Sequence, residues 1–110
     1  MLSLLDCEPT AVFVANNAMT VGALLALRER AVAFPEDLAV VAFDDLDISP
    51  LLGAPPTVMA QPLFAMGARA AQLLFRRIQD PMVKPQTVRL PAIFEHRRSC
   101  GCDPGAGRRT

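Results

Sequence analysis

Residues 11–47 read AVFVANNAMTVGALLALRERAVAFPEDLAVVAFDDLD, and the order of residue types predicts a strand, a helix and a second strand. Residues 11–15 and 38–43 are short, continuous apolar runs, the pattern of parallel strands buried on both faces. Between them, residues 18–30 are nearly all good helix formers, with Val21, Leu24, Leu25 and Leu27 at helical spacing. Asn16 or Asn17 supplies a side-chain N-cap. Only Thr20 interrupts the apolar run before Arg28, so this helix is expected to be covered on more than one side. Each strand stops abruptly at polar residues, Asn16-Asn17 and Asp44-Asp45. In an open parallel sheet, ligands bind beyond the carboxyl ends of the strands. Those positions are the first place to look for chemistry.

Outward from this unit the elements are shorter. Residues 1–9 carry Leu2, Leu4 and Leu5, the end of a helix, then a connection into the first strand. A start of this kind is expected of a truncated domain. Residues 57–60 form a third strand that ends at Gln61-Pro62, after a loop with a short helical turn near Pro50. A second helix is predicted over residues 63–78, with Leu63, Met66, Gly67, Ala70, Leu74 and Ile78 on one face. Residues 87–90 and 92–95 read as two extended pieces broken at Pro91. Residues 1–98 are assigned to one partial domain and residues 99–110 to a disordered tail. The fold class is α/β, a parallel sheet with flanking helices and an incomplete core.

Composition excludes several functions. Hydrophobic residues make up 52% of the 110, enough for a core, so wholesale disorder is not expected. Net charge is zero, and the ten arginines and single Lys84 are spread among acids. A DNA-binding surface concentrates its bases on one face. Cys7, Cys100 and Cys102 are an odd number at spacings that match no disulfide framework or zinc pair. They read as reduced thiols, and no metal or cofactor is expected. No apolar run reaches membrane-span length, and Met1–Leu5 lacks the basic start of a secretion signal. A cytoplasmic address without membrane contact follows.

Catalytic motifs are sparse. Neither GxSxG, a P-loop nor GxGxxG occurs, and His96, the only histidine, has no evident nucleophile beside it in sequence. Asp44, Asp45 and Asp47 are clustered oxygens that suit a hard cation. Asp45-Leu46-Asp47 after an apolar strand also resembles the aspartate motif of haloacid-dehalogenase-type phosphatases, an alternative in which Asp45 and Asp47 serve a small magnesium-dependent enzyme. That motif needs a downstream lysine, and Lys84 lies alone in a proline-flanked loop. Asn16, Asp44 and Gln61, each at a strand end, instead offer the amide and carboxylate groups that hold a sugar-like or nucleoside-like molecule.

Three blocks carry a wider resemblance: PTAVFVANNAMTVGALLALRERAVAFPEDLAVVAFDDLD, then APPTVMAQPLFAMGARAAQLLFRRI, then VRLPAIFEHRRSCG. In this order they resemble the carboxyl-terminal part of lactose/galactose-repressor (LacI/GalR) family transcriptional regulators. The resemblance implies a periplasmic-binding-protein-like (type I) fold and a non-catalytic sensor for a small-molecule effector. It implies operator DNA as partner only through an N-terminal headpiece that these residues do not contain, and a homodimer in the intact regulator. Asn16, Asp44 and Gln61 match effector-contacting positions, and Phe64 is a further candidate for packing on the ligand. The helix over 63–78 would belong to a second subdomain, with residues 88–95 returning from it.

Departures from the family pattern are local. Asn17 stands where an aspartate is usual, Ala42 where glycine is usual, and Ala60 where arginine is usual. Ala31 replaces the glycine that ends the first helix in a left-handed turn, a conformation unfavourable to alanine.

Overall fold

The computed structural model describes residues 1–103. Its elements are α1 (Leu2–Leu5), β1 (Ala11–Val14), α2 (Asn17–Glu29), β2 (Ala39–Phe43), a 3-10 turn (Ser49–Leu51), β3 (Thr57–Ala60), α3 (Leu63–Gln79), β4 (Ile93–Glu95) and a second 3-10 turn (Arg98–Cys100). The strands form one sheet in the order β1-β2-β3-β4. β1 and β2 are parallel, with Val14 opposite Ala42, and β2 and β3 are parallel, with Phe43 opposite Met59. Residues 87–90 are not a strand. Pro85 and Pro91 flank the stretch, and the exposure of Val88 and Leu90 shows that it is not packed into the sheet.

The chain divides into two compact units, Met1–Ala60 with Phe94 onward, and Gln61–Ile93. In the first, α2 lies on the β1-β2 pair. Val14, Ala23, Ala42 and Val58 make one core cluster, and Leu27, Leu38 and Val40 another. The buried side of α2 is Thr20, Ala23, Ala26 and Leu27. Leu25, predicted to be inside, is 59% exposed, and Phe13 on β1 is 61% exposed. Helix and strand are thus each covered on one face only, Val12 and Val14 facing inward while Ala11 and Phe13 lie on the open face. In the second unit α3 is the main element, and none of its residues is buried.

Local chemistry sets the ends of α2. The Asn16 side-chain oxygen accepts from the Met19 N–H at 2.9 Å, satisfying a donor that the helix cannot. At the other end the Val32 N–H donates to the Leu27 carbonyl (2.9 Å) and the Ala31 N–H to the Arg28 carbonyl (3.2 Å). This pair is the Schellman closure, which requires a left-handed residue after the cap. Ala31 fills it with φ 52°, at the steric cost the sequence predicts.

The predicted disordered tail does not begin at Ser99. Ser99 is 2% exposed, and its hydroxyl stands between two strands. It accepts from the Thr57 N–H and donates to the Val40 carbonyl, both at 2.6 Å. Two residues earlier, the Arg97 N–H donates to Thr57 Oγ1 (3.0 Å), which donates to the Arg97 carbonyl (2.8 Å). These bonds satisfy buried polar groups at the start of β3, so residues 97–100 are held in place. The remainder of the predicted tail, 104–110, lies outside the described residues.

Asp45 completes this clasp. Arg97 grips both its oxygens, Nη1 to Oδ1 at 2.8 Å and Nη2 to Oδ2 at 2.5 Å. Ser49 Oγ and the Leu46 N–H also donate to Oδ1. The hydrogen bonds from Arg97, aided by those from Ser49 and Leu46 and opposed by partial burial, lower the Asp45 pKa from 3.8 to about 2.

Three outcomes follow for the stability of the chain. Ala31→Gly relieves the left-handed strain and raises unfolding free energy by about 1 kcal/mol, read by urea denaturation. Ser99→Ala strands a buried donor and a buried acceptor and lowers it by about 1–3 kcal/mol, whereas Ser3→Ala, on the exposed α1, stays within about 0.5 kcal/mol. Because the folded pKa of Asp45 lies below the unfolded value, its contribution is complete above pH 3.8 and is lost as pH falls toward 2. Asp45→Asn removes that component from the acid-denaturation profile.

Candidate functional site

The site is built from the residues that follow the parallel strands. β1 and β2 are in register with Val14 opposite Ala42, and Asn16 and Asp44 each lie two residues beyond that pair. Neighbouring strands run about 4.8 Å apart, so the shared register carries both residues to the same end of adjacent strands. Asn16 is exposed and Asp44 half-buried. Asn16 keeps its side-chain oxygen on the Met19 N–H. Its backbone carbonyl accepts from Thr20 Oγ1 at 2.8 Å, and Thr20 is fully buried. The amide is thereby fixed at the head of α2.

Asp44 is in the left-handed region at φ 67°, while its N–H still donates to the Met59 carbonyl at 2.9 Å. The chain thus leaves the sheet in one residue. Aspartate tolerates this conformation better than most residues, yet it remains an uncommon state that clusters at ligand-binding positions.

Asn17 joins the two strand ends. Its Nδ2 donates to the Asp45 carbonyl at 3.2 Å. The aspartate usual at this position has no such donor when ionised, so the departure noted in the sequence provides a cross-link in this chain. The sequence offers Asn17 as an alternative N-cap and as a departure from the family pattern; the cap is made by Asn16 and Asn17 makes the cross-link.

The other predicted residues lie in the second unit. Gln61, half-buried, is the residue after β3, and its carbonyl accepts from the Leu63 N–H at 2.9 Å. Phe64, on the first turn of α3, is 91% exposed. Asp45 and Asp47, the carboxylates of the alternative reading, separate: Asp47 is exposed, and both Asp45 oxygens are engaged by Arg97. A carboxylate so paired is a poor phosphate acceptor, and the guanidinium occupies the place where a cation would bind. Arg97 and Ser99 stood out in the sequence only as neighbours of Cys100, not as structural residues. Their partners lie 40 to 59 residues away, and both were placed at the edge of a presumed tail. No helix among the described residues is long and apolar enough to cross a membrane.

Residues 1–100 match the periplasmic binding protein-like domain family. The chain is 35% identical over 92 residues to the ribose operon repressor of Escherichia coli, an alignment covering 84% of this chain and 28% of that protein. It is 39% identical over 75 residues to the HTH-type transcriptional repressor PurR of Pasteurella multocida, covering 68% of this chain and 22% of the repressor. Among solved structures it resembles a LacI family transcriptional regulator from Enterococcus faecium with bound ribose. That match has a TM-score of 0.80 and 36% identity over 88% of this chain and 36% of the other. The chain therefore spans roughly a quarter of the curated relatives it matches. It belongs to the periplasmic binding protein-like domain family, and its relatives there are LacI-type transcriptional regulators.

Proposed function

We propose that this chain is the effector-sensing segment of a LacI-type regulator and that Asn16 and Asp44 hold a small sugar-like molecule. The observation that carries the reading is the register of β1 and β2, which sets an amide and a carboxylate on one end of neighbouring strands. A carboxylate accepts from two adjacent hydroxyls, while an amide both donates and accepts. Together they match a polyhydroxylated ring. The relatives solved with bound ribose supply the choice of probe.

In this reading the ligand is bound without being transformed. In an intact regulator its differential affinity for two subdomain arrangements changes DNA affinity at a distance. DNA contact is assigned to a headpiece outside these residues, the balanced charge offering no phosphate-binding face. Homodimerisation and a cytoplasmic address belong to the same proposal, as they do for regulators of this type. The phosphatase reading is set aside because Arg97 occupies Asp45.

A heteronuclear NMR titration of the chain with ribose tests the site. Shifts are expected at the amides around Asn16 and Asp44. Asp44→Ala should weaken binding roughly tenfold or more, the loss of hydrogen bonds to a charged acceptor. Saturable ribose shifts elsewhere that Asp44→Ala leaves intact would overturn it. In a gel-shift assay the same chain should give no specific, salt-sensitive retardation of a DNA duplex.

A further inference from the structure

His96 and Cys100 lie on either side of the Arg97–Ser99 clasp, which holds the segment on β2 and β3. His96 Nε2 is 3.2 Å from Cys100 Sγ. The His96 ring is further held by stacking on Phe94, with centroids 5.5 Å apart and planes 19° from parallel. After Cys100 the chain turns at Gly101, whose φ is 75° and whose N–H donates to the Arg98 carbonyl at 3.0 Å. This left-handed turn brings Cys102 back beside Cys100. His96 Nε2, Cys100 Sγ and Cys102 Sγ all lie within 4.8 Å of one another.

We propose that His96, Cys100 and Cys102 form a binding site for zinc, with one imidazole and two thiolates as protein ligands. Tetrahedral zinc with its usual bonds of about 2.0–2.3 Å holds its donors roughly 3.3–3.8 Å apart. The His96–Cys100 pair is already near that spacing. Closing the triangle needs only a small movement of Cys102, which is exposed and follows the turn at Gly101. The donor set is soft and nitrogenous. It suits zinc and disfavours magnesium or calcium, which take oxygen ligands. Cys102 faces solvent, so the fourth position is left to water. Binding closes the turn that follows the clasp and so favours the folded state of residues 96–102. The site shares no residue with the proposed sugar-binding positions.

The whole 110-residue chain, reduced and stripped of metal, is titrated with Zn2+ against a chromogenic chelator and with Co2+ as a spectroscopic substitute. One Zn2+ per chain is expected, together with thiolate-to-metal absorption on cobalt binding. Cys100→Ser, Cys102→Ser and His96→Gln should each weaken binding roughly tenfold or more, and Cys7→Ser should leave it unchanged. Because a variant at Cys100 can disturb folding, the wild-type chain provides an independent readout. Zn2+ should protect Cys100 and Cys102, but not Cys7, from alkylation mapped by peptide mass spectrometry. Cobalt binding without thiolate absorption, equal weakening by Cys7→Ser, or alkylation of Cys100 and Cys102 at the same rate with and without zinc would each overturn the site. Ribose binding is read separately, so failure of one proposal leaves the other standing.

Discussion

A single serine hydroxyl bridges the backbones of β2 and β3, adding to the ladder that already pairs them. The link between these strands is a loop with one 3-10 turn, whereas β1 and β2 are joined through a full helix that packs on them. Ser99 Oγ takes the Thr57 N–H and gives its proton to the Val40 carbonyl. Arg97 bonds Thr57 on both its backbone groups and clamps Asp45 at the beginning of the loop. A buried, fully satisfied polar network of this kind positions its members sharply, because each partner lost leaves an unpaired group in low dielectric.

That constraint reaches the ligand positions through Asp45. Its carboxylate is held by Arg97 and its carbonyl by Asn17, the first residue of α2. The loop leaving β2 is thereby tied both to the returning segment and to the helix after β1. Asp44 sits between the sheet and this anchored loop, in a left-handed conformation that needs surrounding structure to maintain it. Three neighbouring carboxylates thus have three different positions. Asp44 marks the strand end, Asp45 holds the loop, and Asp47 faces solvent.

The same returning segment explains why the cysteines read as uninformative. A zinc pair is recognised in sequence by its two-residue gap, and Cys100-Gly101-Cys102 has a gap of one. In the proposed site the left-handed Gly101 and a histidine four residues before Cys100 take the place of that gap. Neither is visible without knowing that residues 96–100 are ordered. The error about the tail and the reading of the cysteines as plain reduced thiols have one cause: Arg97 and Ser99 look like ordinary surface residues until β2 and β3 are placed beside them.

The chain's local patterns determined its elements by themselves. Apolar runs between turn residues set β1, β2 and β3, and the asparagine cap and helix formers set α2; the strained end at Ala31 was expected only from the family resemblance. These are effects of neighbours within a few residues, where side-chain type acts directly on the backbone. Burial was another matter. The sequence marked Phe13 and Leu25 as interior, yet both are exposed, because periodicity describes a face and says nothing about what covers it. Which aspartate is tied to arginine and which thiol the histidine meets were decided by the tertiary structure alone. Those contacts join distant parts of the chain or depend on such joins, and their geometry exists only once the strands have paired.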